Sequence, residues 1–448
     1  MIVILGGGPA GRLASIRLAA AGKDVTLIEK GGIGGQCLHY GCMPVCALND
    51  VARHVETART LHGLGIIDAV PTVDFPQLIA EMHKVQATIA AVLDKETRDA
   101  GVTILYGREG RFDGKQVVLG DEPLEADAVI LSTGSRPAIP AVPGITGPGI
   151  FTPHTLWTMN QLPGHLAIIG GGIMAAEFAY IFSRLGSRVT VLSRSGFLKN
   201  LDETLQKRAV RELSGVTIRE GTDVLSVTGE PGCLRLDLKK HGDPDTLECD
   251  TLECDNILVA AGLTPNSEGL SGVAKRPNGE VIVDDFMRTN LPCIYACGDL
   301  TGPPFMTPVA RQQGIVAADN ILGLHRKMDY TFLPQSLNLG YELAFCSRNS
   351  PTAKSLVVPG VAGPGTFWEV PASNTGVAKI MVEADGSFSG MCTASPGGGL
   401  IAGYMALLMK HHFSVHDFAD FIEVHPSNDA VYGLAKYASG VLKKREGR

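Results

Sequence analysis

The sequence is short of four things, and each shortage closes off a class of function. It has no basic run beyond Lys443-Lys444-Arg445, and its formal net charge is −7, so no nucleic-acid surface is expected. Its most apolar stretches, 166–186 and 397–409, are broken by Glu177 or open on three glycines. Buried helices and strands account for both better than membrane spans do, and no membrane association is expected. Its 10 cysteines are scattered over 448 residues without the framework of a secreted domain, which points to a reducing cytoplasm. An apolar strand beginning at Ile2 leaves no room for the charged segment of a secretory leader.

What is present is 45% hydrophobic residues, 19% charged residues and 54 glycines, enough for several globular domains. Much of the glycine lies in strand-to-helix turns. An apolar strand over 2–5 runs into Gly6-Gly7-Gly8-Pro9-Ala10-Gly11, followed by a helix to about residue 21 and a strand over 24–28 that ends at Glu29. Glycines at this spacing let the chain turn tightly and let a pyrophosphate approach a helix N-terminus, while the acid suits a ribose. The unit recurs: a strand over 166–169, then Gly170-Gly171-Gly172-Ile173-Met174-Ala175, a helix to about 185, and a strand over 188–192. One copy is weak evidence; two copies predict a protein that binds two nucleotides.

The second strand ends in Ser193 and Arg194, with Lys199 nearby, where NAD sites usually place an acid. A hydroxyl and two cations suit a 2′-phosphate, so NADPH is expected, with NADH possible. Between the two units, Cys37 and Cys42 stand in GGQCLHYGCMP. Paired thiols beside a cofactor can cycle between dithiol and disulfide and so pass two electrons.

Further along, 51–100 reads as helical around Pro71 and Pro76, while 102–131 and 216–260 alternate like strands. The tandem repeat DTLECDTLECD at 245–255 reads as a duplication in a surface hairpin, not as a metal site, and no metal is expected. Thr307-Pro308 opens a helix, with Thr as N-cap and Pro in the first turn. Helices are expected near 400–412 and after Pro426.

Taken in order, GGGPAG, GGQCLHYGCMP, LSTGSRP (131–137), GGGIMAAE (170–177), AAGLTPN (260–266) and RTNLPCIYACGDLTG (288–302) give the chain a family resemblance. It resembles the flavoprotein disulfide reductases, the group containing dihydrolipoamide dehydrogenase, glutathione reductase and mercuric reductase. The match is strong over about 1–325 and weaker over 330–448. The resemblance implies an α/β fold with two Rossmann-like dinucleotide-binding domains, for FAD and NAD(P), plus a C-terminal α+β dimerisation domain. The expected boundaries are 1–145 for the FAD domain, 146–265 for the NAD(P) domain, 266–328 for a return to the first, and 329–448 for dimerisation.

By the same resemblance FAD lies against Gly6, Gly8, Pro9, Ala10, Gly11, Lys30, Gly35, Gln36, Thr133, Gly134, Met306, Thr307, Pro308 and Ala310. Glu29 takes its adenosine ribose and Asp299 its ribityl chain. The nicotinamide nucleotide lies against Gly170, Gly172, Ile173, Met174, Ala175 and Gly262, besides Ser193, Arg194 and Lys199. Electrons pass from the nicotinamide through FAD to the Cys37–Cys42 disulfide, Cys42 facing the flavin and Cys37 exchanging with a small-molecule disulfide or thiol. His425, in a His-Pro near the C-terminus, is the acid–base group, supplied across a homodimer.

Three departures from the family stand out. The lysine expected four residues after Cys42 is Cys46, which leaves Glu177, beside the flavin, without a cation. Such a carboxyl is expected to be neutral and the flavin potential low. Cys46 is read either as a third thiol near the flavin or as a small apolar filler. The position of the glutamate that usually follows the His is Ala430, with Asp429 one residue short. Finally, SLNLGYELAF replaces a Pro-Glu segment. Two other readings therefore stay open: a flavin-dependent metal-ion or quinone reductase using Cys37, Cys42 and Cys46, and a low-turnover redox sensor.

Overall fold

The computed structural model describes residues 1–448 apart from 241–249, 349, 359–375, 425–426, 428 and 446–448. The fold is α/β. β1 (Ile2–Leu5), α1 (Pro9–Ala20) and β2 (Val25–Glu29) open the chain, followed by α2 (Gly35–His39), α3 (Cys42–Gly63), α4 (Phe75–Asp99), β3 (Thr103–Tyr106) and β4 (Ala128–Leu131). A second βαβ unit is built from β5 (His165–Ile169), α5 (Ile173–Leu185), β6 (Arg188–Ser193), α6 (Glu203–Glu212), β7 (Thr217–Glu220) and β8 (Asn256–Val259). β9 (Ile294–Ala296) then returns to the first sheet, whose order is β9-β4-β1-β2-β3, every pair parallel. The second sheet runs β7-β6-β5-β8 with the short strand Ile150–Phe151 at its edge, again all parallel.

Parallel strands must be covered on both faces, and their residues show it. Ile2–Leu5 and Ala128–Leu131 are buried throughout. In α5, ten of the thirteen residues are buried, Ala175 and Leu185 among them, because this helix is sandwiched between its own sheet and the C-terminal domain. α7 (Thr307–Ile321) lies along α1, with Gly314 against the Ala10 carbonyl, where a β-carbon would stand 2.1 Å away.

The C-terminal domain is α+β. Its antiparallel sheet has the order β10 (Gln335–Asn338), β11 (Glu342–Ser347), β14 (Phe388–Ser395), β13 (Val377–Val382), β12 (Lys354–Val358). Helices α8 (Gly398–Lys410) and α9 (Val431–Arg445) flank it. Leu337, Leu339 and Leu343 of this sheet enter one core with Val45 and Leu48 of α3 and Phe178 and Ile181 of α5. Helix α3, which begins at Cys42, is therefore gripped from two sides. Among the described residues no helix is long and apolar enough to cross a membrane.

The tandem repeat splits across the described boundary. Cys249 lies outside the described residues, while Asp250–Cys254 is an antiparallel strand on Cys233–Lys240. Asp250, Thr251 and Glu253 are exposed, while Leu252 and Cys254 are buried in the core beneath the second sheet.

Candidate active site

The two glycine turns are alike down to their contacts. Gly8 is the N-cap of α1 and Gly172 the N-cap of α5, neither covered by a side chain. A β-carbon on Gly11 would stand 2.1 Å from the Gly6 carbonyl, and one on Gly35 would stand 2.7 Å from the Gly8 Cα. Bare backbone N–H groups at a helix N-terminus thus face an open crevice, the arrangement that receives a pyrophosphate. Glu29 ends β2 and accepts N–H bonds from Gly7 and Gly31, both at 2.6 Å. Ala10 is buried, and Pro9 starts α1.

In the second unit Ser193 takes the place that Glu29 has in the first. It ends β6, is 2% exposed, and its hydroxyl lies beneath Gly171 as the Glu29 carboxylate lies beneath Gly7. Ala175, at the third-glycine position, is fully buried. Arg194 and Lys199 are exposed beyond the strand end. Glu220, which sequence reading passed over, pairs with Ser193 in register, and its carboxylate accepts the Phe197 N–H at 2.6 Å. Gly170 has φ +143° against the Ala260 carbonyl, and Gly262 has φ +112°.

Asp299 sits in a short turn at the crevice between α1 and α7. Ser135 Oγ donates to it at 2.7 Å, and burial pushes its carboxyl upward. Thr133 donates its hydroxyl to the Asn266 carbonyl at 2.7 Å and Gly134 has φ +70°, so both shape the wall of that crevice through the backbone. Lys30 faces solvent in a 3.3 Å ion pair with Glu109. The α7 start departs from expectation: Met306 is the N-cap, Thr307 and Pro308 belong to the first turn, and no side chain caps the helix. The Thr307 hydroxyl instead meets Cys42 Sγ at 3.6 Å. Ala310 is buried in the next turn.

Cys37 and Cys42 are both free thiols and are brought together by the tight connection from α2 to α3. The Cys37 thiol donates to Cys42, which lowers Cys42 to about 6; the Thr307 hydroxyl helps and burial opposes. The same bond, with burial, holds the proton on Cys37, against which the Arg311 charge acts. The two thiols are thus pushed in opposite directions, Cys42 down and Cys37 up. Arg311, one helical turn beyond Thr307, is exposed at this mouth.

Cys46 follows one turn after Cys42 and is exposed. Burial and the charges of Glu177 and Cys42 push its thiol upward. Glu177 is 6% exposed, and burial pushes it to about 7. As expected, it has no lysine beside it among the described residues; the Asn338 backbone N–H donates to it at 2.8 Å. Among the described residues no group of three or more His, Cys, Asp or Glu is arranged to hold a metal ion.

His425 lies outside the described residues. Asp429 does not wait for it: its oxygens accept the Val431 N–H at 2.7 Å and the Tyr404 hydroxyl. A different histidine stands at the redox loop. His154 bonds Gln36 Oε1 at 2.6 Å and stacks on Tyr40 with ring centroids 4.5 Å apart. Tyr40, between the two cysteines, was the available signal for an aromatic contact there. Nothing in the sequence pointed to His154.

Comparison with known proteins agrees with this geometry. Residues 1–314 match the family model described as pyridine nucleotide-disulphide oxidoreductase. The chain belongs to the pyridine nucleotide-disulphide oxidoreductases. This oxidoreductase is 31% identical over 398 residues to a dihydrolipoyl dehydrogenase of Chlamydia muridarum, covering 86% of this chain and 82% of the relative. It is 30% identical over 464 residues to a mercuric reductase of Acidithiobacillus ferrooxidans, covering 97% and 81%. Its fold superposes on the HOCl-induced flavoprotein disulfide reductase RclA of Escherichia coli, solved as a Cu(II) complex, with TM-score 0.83 and 23% identity over 99% of each chain. Members of the family are FAD-dependent enzymes that use NAD(P)H, and the first crevice, with its bare helix N-terminus, Glu29 and Asp299, fits FAD.

Proposed function

We propose that this enzyme uses NADPH to reduce a low-molecular-weight disulfide through Cys37 and Cys42, as a cytoplasmic homodimer. The observation that carries the reading is the pair of free thiols at the start of α3, with Cys42 Sγ on the Thr307 hydroxyl in the first turn of α7. The overall reaction is NADPH + H⁺ + RSSR → NADP⁺ + 2 RSH. His425 of the partner subunit takes the Cys37 proton, and the Cys37 thiolate attacks one substrate sulfur. A Cys37–S–S–R bond forms, the substrate S–S bond breaks, and the leaving thiolate recovers the proton. The Cys42 thiolate then attacks Cys37, closing the Cys37–Cys42 disulfide and releasing the second substrate half as a thiolate, which takes up the H⁺ of the overall reaction. FAD, held by Glu29, Asp299 and the α1 turn, supplies the two-electron relay from NADPH that reopens it.

NADPH is favoured over NADH because Ser193 replaces an acid beneath the second glycine turn, and the exposed Arg194 can fork onto a 2′-phosphate with the Lys199 charge beside it. Anaerobic titration with NADPH tests the reading. A long-wavelength thiolate–flavin band should reach its maximum at two electrons per FAD, and a disulfide panel should then discharge it. A band absent from the wild type, or one that persists in Cys42→Ser, overturns it. A metal-ion reductase is the second reading, favoured by exposure of Cys46 one turn from Cys42. Cys46→Ala would then lose metal-dependent NADPH oxidation and keep disulfide turnover.

A further inference from the structure

Side chains from three parts of the fold converge on one turn of the C-terminal sheet. β10 ends at Asn338, whose backbone N–H donates to Glu177 Oε1 at 2.8 Å, with its side-chain amide at 3.4 Å. One residue on, the Leu339 carbonyl accepts from Arg53 Nε at 2.6 Å and from Asn49 Nδ2 at 3.2 Å. Two residues later the Tyr341 N–H donates to Glu212, which is paired to Arg208 at 2.6 Å. Glu177 of α5 and Arg53 of α3 therefore hang on consecutive residues of the same turn.

Charge balance decides what this turn does. Glu212 has a direct cation, whereas Glu177 is held only by neutral donors. A buried carboxylate in that position tends to keep its proton. The charged and titratable groups around Glu177 are Cys42, Cys46 and Arg53, all from α3: the thiols oppose its ionisation and Arg53 favours it. Arg53 has an unmet need of its own. Its Nη2 is buried and finds no acceptor among the described residues, and a buried guanidinium is costly unless an anion is near. Arg53 is the cation that acts on Glu177, and it acts on Glu212 as well.

We propose that Arg53 is a positioning residue of the redox site: anchored by Leu339, it is the counter-charge that lets Glu177 be negative beside Cys42. Docking of the C-terminal domain and the electrostatics of the thiol pair then become one event, since the Asn338–Leu339 turn holds both partners. The consequence for turnover rests on the proposed disulfide chemistry; the charge pairing does not.

The test follows the Glu177 carboxyl by infrared spectroscopy against pH in the FAD-loaded, full-length protein without substrate, with Glu177→Gln assigning the band. Arg53→Gln should raise its midpoint by at least one pH unit, a tenfold change in proton affinity. Arg53→Lys should keep it within half a unit, and Arg53→Gln with Cys46→Lys should restore it, because Cys46 faces the same carboxyl. An unmoved midpoint in Arg53→Gln, or an equal shift in Arg53→Gln and Arg53→Lys, overturns the proposal. Should Arg53→Gln fail to load FAD, Arg53→Lys carries the test alone, and a rise of a unit or more overturns it. Because no substrate is present, loss of the disulfide-reductase reading would leave this result unaffected.

Discussion

At the residue scale the working parts are three ionisable groups with displaced affinities. Cys42 is lowered to about 6, first by the Cys37 thiol and then by the Thr307 hydroxyl. Alkylation of the reduced enzyme should therefore show a step near pH 6, with Cys42 reactive above it and quenched below it. Cys37→Ala should move the step up by about 1–2 pH units, the worth of a hydrogen bond to a charged group. A step that stays near 6 would sink this account. Glu177 moves the other way, from 4.5 to about 7, through burial. Between those values the folded chain holds a proton that the unfolded chain has released, so this group's contribution to stability falls as pH rises toward 7. Urea unfolding from pH 5 to pH 8 should show a flatter profile for Glu177→Gln than for the parent; equal slopes would exclude the effect.

At the element scale, the glycine turns and helix N-termini carry the nucleotide sites. Gly11 has its α-carbon against the Gly6 carbonyl and the Ser132 hydroxyl, with a β-carbon 2.1 and 2.4 Å from them. Neither can retreat without parting α1 from β1. Gly11→Ala should cost about 1–3 kcal/mol, as overpacking does, and should give protein depleted in FAD, measured by absorbance after purification. In the second unit, Arg194→Ala with Lys199→Ala should raise KM for NADPH about 10–100-fold, the range of lost charge-assisted bonds. KM for NADH should hardly change. An equal loss for both nucleotides would place these cations elsewhere.

At the scale of the whole molecule, the C-terminal domain both joins the core through Leu337, Leu339 and Leu343 and leaves an apolar face bare. Leu400 is 80% exposed, Ile422 91% and Val424 78%. Exposed apolar side chains of that size suit an association surface, and Ile422 and Val424 stand just before His425 in the chain. Leu400→Asp with Ile422→Asp should give a monomer by light scattering. That monomer should keep FAD and NADPH oxidation with a small dye, and lose disulfide turnover by about 10²–10⁴-fold, the contribution of an acid–base group. A monomer with full disulfide turnover would remove the partner subunit from the reaction.

The sequence alone determined the local units, because their signals are local. Each glycine turn needs bare backbone within six residues, the inner parallel strands Ile2–Leu5 and Ala128–Leu131 are runs buried on both faces, and Cys37 and Cys42 are brought together by one short connection. The strand-end residues Glu29 and Ser193 were legible for the same reason. Tertiary structure decided everything that depends on distant chain. Asn338 reaches Glu177 across 161 residues and Arg53 reaches Leu339 across 286, so a carboxyl that looked isolated is held by a turn that read only as an irregular segment. Thr307 turned from helix cap to thiol partner, and Asp429 accepts from Val431 and Tyr404. Local sequence names the side chain, but chain folded against it from elsewhere sets its partner, as Thr307 meets Cys42 across 265 residues.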